Sequence, residues 1–241
     1  MKTIGLIGGM SWESSVEYYR IINQLTRKRF GGLHSAKCIM HSYDFDQIAS
    51  AQREDDWDGL TDRLVDTARK LKASGADFVV ICTNTMHKLA DDVQSRADIH
   101  VLHIADATGL KVKEKGLKKV ALLGTRYTME ADFYRQRLTE RYGLEVIIPD
   151  KNEREFVHSV IFDELCQGVM KPSSKEKFMT IIDNLVSQGA EGIILGCTEI
   201  PLLISQEDVD VPVFDTTQIH AEAAIEMAID KRSSTFCVDP C

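Results

Sequence analysis

Residues Gly75–Thr85 read GADFVVICTNT, and residues Gly189–Glu199 read GAEGIILGCTE. Both segments open Gly-Ala-acidic, continue as an apolar β-rich run and end in a small polar cluster. Each follows a helix-like stretch, LVDTARKLKAS in one case and IIDNLVSQ in the other. Aligned without gaps, Thr83 falls on Cys197 and Cys82 falls on Gly196. Self-similarity of this kind marks an internal duplication, which decides the fold before any single motif does.

Two further pairs extend the repeat. TIGLIGGM at Thr3–Met10 resembles KVALLGTR at Lys119–Arg126, with Gly8 on Gly124 and an aromatic-rich helix candidate after each. HVLHIADAT resembles DVPVFDTTQ more weakly. Each half therefore reads as strand, loop, helix, then strand, helix, strand, ending in a polar loop. The strand candidates are continuous apolar runs rather than alternating ones, the pattern of parallel strands covered on both faces. Helices supply the right-handed crossovers. Ser11 and Ser14 are positioned to cap a helix before Val16–Tyr19, and Ser173 to begin another. The expected fold class is α/β, with two pseudo-symmetric duplicated domains, each a mainly parallel sheet flanked by helices. The first domain is expected at residues 1–107 plus 217–241 and the second at 108–216. The crossing lies near Asp106–Lys115, and the helix IHAEAAIEMAI returns to the first half.

Composition narrows the function classes. With 241 residues, 44% hydrophobic and 27% charged, the chain is an ordinary globular protein with a sufficient core. A net charge of −8 argues against a nucleic-acid partner. No apolar run approaches the roughly 18 residues a membrane span needs, and the glycine-broken N-terminus reads as a buried strand, so no membrane association and a cytoplasmic location are expected. In that compartment the six cysteines stay reduced. Cys237 and Cys241 have ligand-like spacing in a tail without periodicity, but no histidine is near, and no metal is expected.

Ligands of open parallel sheets bind beyond the carboxyl ends of the strands. Four loops leave such ends: Gly8–Trp12, Thr83–His87, Gly124–Thr128 and Gly196–Ile200. If the halves face one cleft, pseudo-symmetry sets residue 83 opposite residue 197. That arrangement suits proton exchange at a chiral carbon, which needs a base on one face and an acid on the other. A cysteine can serve, since nearby donors lower its pKa from about 8.5. A cysteine at a strand end is by itself ordinary packing; the duplicated position gives Cys197 its interest. Glu199 either assists proton movement or caps the following helix. The GGMS loop, and Gly124, Thr125 and Thr128 in the second half, can bring donors to an anion, or are simply tight turns. Lys171 either pairs a carboxylate or is exposed. His87 and His220 have a packing role or a place near the site as alternatives. No phosphate loop or complete G-x-G-x-x-G occurs.

Taken together, GLIGGMSWES, CTNTMH, LLGTRYT and LGCTEIP resemble the aspartate/glutamate racemase superfamily, near its aspartate racemase branch, over about residues 1–229. The resemblance implies two α/β domains, no pyridoxal phosphate and no other cofactor, a homodimer, and an acidic amino acid as the small-molecule partner. It implies a pair of cysteines acting on opposite faces of Cα. The second matches Cys197, which would meet the proton of the L-substrate. The first falls at Thr83, a departure from the pattern. Cys82 is adjacent, but one residue along a strand points to the other face. Asn84, Thr85 and Thr198 match positions that hold the α-carboxylate or the amine, and Met10 and Gln52 match substrate-contacting loops. The departure at Thr83 keeps other functions open: a dicarboxylate decarboxylase or cis–trans isomerase of the same fold, or a non-catalytic binding protein.

Overall fold

The computed structural model describes residues 1–229; Cys237 and Cys241 and the tail around them lie outside the described residues. Two compact units emerge. Among the described residues, one comprises Met1–Cys82, Leu89–His103 and residues 220–229; the other comprises Thr83–Lys88 and Ile104–Ile219.

The first unit holds a parallel sheet of β1 (Ile4–Gly8), β2 (Cys38–Ser42), β3 (Phe78–Ile81) and β4 (Val101–Leu102) in the order β2-β1-β3-β4. Its helices are α1 (Trp12–Phe30), α2 (Phe45–Arg53), α3 (Trp57–Ala73) and α4 (Ala90–Ala97). The second unit holds β5 (Lys119–Gly124), β6 (Glu145–Ile147), β7 (Ile193–Gly196) and β8 (Val213–Asp215) in the matching order β6-β5-β7-β8, again all parallel. Around it lie α5 (Ile104–Glu114), α6 (Arg126–Glu130), α7 (Asp132–Tyr142), α8 (Lys151–Asp163) and α9 (Pro172–Ser187). The last helix, α10 (Thr216–Ile229), begins in the second unit and continues in the first.

The duplication holds at the level of register. In the first sheet Gly5 pairs with Val79 and Ile7 with Ile81. In the second, Ala121 pairs with Ile193 and Leu123 with Leu195. These are the same positions under the alignment that sets Gly8 on Gly124 and Thr83 on Cys197. The weaker third pair holds with a slip. Val79 pairs with Val101 and Ile193 with Val213, two residues from an end-to-end alignment of the segments. A slip of two preserves the face each side chain presents.

The central strands are buried throughout, as continuous apolar runs require: Ile4, Leu6, Ile7, Val79, Val80 and Ile81 in one unit, and Leu122, Leu123, Ile193, Ile194 and Leu195 in the other. Each such side chain contributes about 1.5–3 kcal/mol through burial. The core of the second unit packs α8 and α9 on this sheet through Val157, Val160, Phe178, Ile181 and Leu185. No helix among the described residues is long and apolar enough to cross a membrane.

Local signals set the helix starts. Ser11 caps α1, its Oγ accepting the Ser14 N–H. Helix α9 starts earlier than Ser173: Pro172 occupies its first turn, where a missing N–H costs nothing, and Lys171 stands at the N-cap without a side-chain cap bond. In the GGMS loop the Gly9 N–H donates to Ser15 Oγ at 2.7 Å, and Ser15 Oγ donates to the Ser11 carbonyl. The expectation that this loop offers its amides to an anion is corrected at Gly9, whose donor closes the turn instead.

Gly9 adopts φ +79°, and a Cβ there would sit 2.2 Å from the Tyr43 nitrogen. Gly116 also has positive φ, +74°, but a Cβ there meets nothing within 4 Å. Gly116→Ala should therefore cost only the backbone penalty of about 1–2 kcal/mol. Gly9→Ala should cost distinctly more, by about 1–3 kcal/mol of added overpacking. Urea unfolding of the two variants checks the difference, and equal losses would refute it.

Candidate active site

The site is built at the carboxyl ends of β5, β7 and β8, where the loop 83–88 joins the second unit. Thr83 is half-buried. Its carbonyl accepts from His87 Nδ1 at 2.8 Å. A carbonyl only accepts, so Nδ1 carries the proton. His87 is buried and ties down the backbone of Thr83, a positioning task that lies between the two alternatives open to it.

Three threonine hydroxyls converge in this unit. Thr85 Oγ1 lies 3.0 Å from Thr125 Oγ1 and 3.3 Å from Thr128 Oγ1, and the latter two are 3.2 Å apart. All three residues are buried. Thr125 also caps α6 by accepting the Thr128 N–H. Each hydroxyl has one proton to give and can turn it to a neighbour or to an incoming anion.

Asn84 is buried beside them. Its Nδ2 donates to Thr216 Oγ1 at 3.0 Å, and Thr216 Oγ1 donates to the Leu195 carbonyl at 2.8 Å. Asn84 Oδ1 and Thr217 Oγ1 are buried without a hydrogen-bond partner. Such an unpaired group costs about 1–3 kcal/mol, a cost that ligand binding can remove. Thr216 and Thr217 were not among the residues picked out by sequence reasoning. The signal was present in Asp-Thr-Thr directly after the fourth strand, a strand end like the four that were considered.

Cys197 follows β7 and joins the core of the second unit with Leu195, Ile200 and Leu203. Its thiol donates to Glu199 Oε2 at 3.0 Å, and Thr198 Oγ1 donates to the same oxygen at 2.7 Å. Burial pushes the Cys197 thiol well above its usual value, and the Glu199 carboxylate adds to the rise because two negative charges would stand together. The helix expected after Cys197 is only a 3-10 turn, Ile200–Leu202, and Glu199 stands at its N-cap without a side-chain cap bond. The carboxylate is bound to the thiol instead of capping a helix.

The remaining candidates are placed differently. Lys171 Nζ pairs with Glu164 Oε1 at 3.1 Å, while Ser174 Oγ donates to Glu164 Oε2 at 2.7 Å. The lysine is exposed and already paired. Met10 and Gln52 belong to the first unit, and both are buried there. Arg53 is exposed and donates to Ser50. Cys82 is fully buried in the first unit, its thiol raised by desolvation and directed to the Val80 carbonyl. His220 is a core histidine: Nε2 donates to the Leu102 carbonyl, so Nδ1 accepts from the Tyr18 hydroxyl, both at 2.8 Å.

The chain thus consists of twin parallel α/β units of matching strand order, one of them with a thiol–carboxylate pair at a strand end. Residues 7–224 match the model of the Asp/Glu/hydantoin racemase family, and the chain belongs to that family. It is 52% identical to a candidate Asp/Glu racemase of known structure from Yersinia pestis, covering 95% of this chain and 100% of that one with a TM-score of 0.90. An aspartate racemase homologue from Pyrococcus horikoshii is 39% identical, covering 95% and 100% of the two chains, with a TM-score of 0.83. The broad specificity amino-acid racemase RacX of Bacillus subtilis is 24% identical over 92% of this chain and 96% of its own length.

Glu199→Gln should remove the charge that opposes thiolate formation. The pH profile of iodoacetamide alkylation at Cys197, followed by peptide mass spectrometry, should then move to lower pH. A profile that stays in place, or moves up, would mean the carboxylate does not govern the thiol.

Proposed function

We propose that this chain racemises aspartate or glutamate without pyridoxal phosphate, with Cys197 as the base for the L-enantiomer and Thr83 as the donor on the opposite face. The observation that carries the reading is the buried hydrogen bond from the Cys197 thiol to Glu199, at the strand end that the duplication pairs with Thr83. Membership of the racemase family and the likeness to the Yersinia and Pyrococcus proteins support it.

The proton accounting is simple. Cys197 and Glu199 share one proton. When it moves to Glu199, the negative charge moves to sulfur, and the pair never has to carry two charges at once. The thiolate takes the Cα proton, and the C–H electron pair stays on the substrate as a carbanion conjugated with its α-carboxylate. Reprotonation by the Thr83 hydroxyl forms the new C–H bond on the other face; a proton from solvent restores the hydroxyl, and the Cys197–Glu199 pair, now holding two protons, returns one to solvent. The hydroxyls of Thr85, Thr125 and Thr128 turn their protons to the α-carboxylate. Thr198 keeps Glu199 in place. Lys171 exchanges Glu164 for the side-chain carboxylate of the substrate. Met10 and Gln52 are included through the family resemblance.

A hydroxyl is a far weaker acid than a thiol, so the carbanion should often recapture a proton from Cys197 before inversion, and that proton is a deuteron once the Cys197–Glu199 pair has exchanged with D₂O. In D₂O the L-substrate should incorporate deuterium faster than it racemises, as read by mass spectrometry and chiral chromatography. Enantiomers have equal free energy, so kcat/KM must be the same in both directions, and any asymmetry lies in kcat and KM separately. Thr83→Cys should bring exchange and inversion together. An unchanged ratio in that variant, or inversion at every exchange event in the native protein, would remove Thr83 from the donor role.

Cys197→Ala should lower Cα exchange by about 10²–10⁴-fold with folding intact, as loss of a positioned base does. Activity above about one per cent of native in that variant would rule out Cys197 as the base. A native protein that exchanges no amino acid in a panel, yet turns over a simple dicarboxylate, would overturn the racemase reading altogether.

A further inference from the structure

We propose that Thr216 is a positioning residue that orients the Asn84 amide so that its carbonyl oxygen receives the ammonium group of an α-amino acid. The inference rests on the racemase reading above and adds to it a residue and a recognition rule.

The argument follows from counting protons. Thr216 Oγ1 lies 2.8 Å from the Leu195 carbonyl, which can only accept, so the single hydroxyl proton points to Leu195. What the hydroxyl offers in the other direction is a lone pair. The Asn84 group 3.0 Å away must therefore be the amide nitrogen. This fixes the choice between two amide orientations that differ by a flip and look alike in outline. The consequence falls on the other end of the amide. Asn84 Oδ1 is buried and without a hydrogen-bond partner. It is an acceptor, held in one orientation, beside a loop whose next residue joins the cluster of threonine hydroxyls.

A lone buried acceptor selects a donor. Thr217 Oγ1, one residue after Thr216, is also buried without a partner, but a hydroxyl both donates and accepts, so the selection falls to Asn84 Oδ1. A carboxylate oxygen brought to Asn84 Oδ1 would set acceptor against acceptor. An ammonium brings three donors. The hydroxyl cluster and the Asn84 carbonyl thus divide the two ends of an α-amino acid between them: donors for the carboxylate, acceptors for the amine. Without the Thr216 hydroxyl the amide has no reason to keep its carbonyl turned to the ligand.

The experiment measures equilibrium binding by calorimetry for two pairs of ligands, L-aspartate with succinate and L-glutamate with glutarate. Each pair differs only in the ammonium. In the native protein the amino acid of at least one pair should bind more tightly than its deaminated partner. Thr216→Val, similar in shape and lacking the hydroxyl, should shrink that preference about tenfold while leaving the affinity of the deaminated ligand in place. Thr216→Ser should restore it. An unchanged preference in Thr216→Val, or an equal loss for both members of a pair, overturns the proposal. Should Thr216→Val fail to fold, Thr216→Ala read against Thr216→Ser decides the matter: the first should lose the preference and the second keep it, and the same behaviour in both overturns the proposal. A native protein that shows the predicted ratios but exchanges no Cα proton in D₂O would refute the racemase reading alone, leaving Thr216 its role.

Discussion

The chemistry of the second unit depends on the close approach of β5 and β7 at their carboxyl ends. Gly124 and Gly196 pair directly in the ladder. A Cβ on Gly124 would stand 2.7 Å from the Gly196 carbonyl oxygen, and one on Gly196 would stand 2.7 Å from Leu122 Cδ1. Neither position accepts a side chain without a shift of main chain or core. With both bare, Thr125 and Cys197 leave the sheet side by side. The hydroxyl cluster and the thiol–carboxylate pair are then brought to one end of one sheet. The first unit has a cysteine, Cys82, at the position corresponding to Gly196, and that cysteine is fully buried, its thiol raised by desolvation.

Polar groups are used in a consistent way within each unit. Hydroxyls that must position something are saturated: Thr216 gives its proton to Leu195, Thr198 to Glu199, and Ser15 to Ser11. Groups suited to a ligand are left short, as with Asn84 Oδ1 and Thr217 Oγ1. The thiol is neither fully saturated nor fully apolar. It sits in the core among Leu195 and Ile200, which disfavours its charge, and against a carboxylate that can take its proton. Burial and the neighbouring carboxylate both hold the thiol protonated, and the same carboxylate accepts its hydrogen bond and can accept its proton.

The fold was legible because duplication is a property of sequence. Gly75–Thr85 and Gly189–Glu199 carry the same pattern, and the structure keeps the same strand order and register in both units. The site was legible only in part. Cys197 and Glu199 stood out by position, but the use of Glu199 turned on the length of the next helix, and a single 3-10 turn has no strong claim on a capping carboxylate. The pairing of Lys171 with Glu164, seven residues earlier in the chain, is likewise a contact that the sequence pattern does not announce. The attachment of residues 83–88 to the second unit was not readable at all. It rests on tertiary contacts such as Thr85 with Thr125 and Asn84 with Thr216, residues 40 and 132 positions apart. No local pattern records a bond across that separation.

That attachment bears on ancestry. A gene encoding only residues 104–219 would specify a sheet, its helices and the thiol, yet it would lack Thr83, Asn84 and Thr85. The two repeats descend from one pattern but no longer work as interchangeable modules, because one has lent its loop to the other. Recombination that shuffled halves between relatives would have to carry the six residues of 83–88 together with their hosts after β5 and β8. A second unit transplanted alone would keep its sheet and its thiol but lose every hydroxyl and amide that residues 83–88 bring to it.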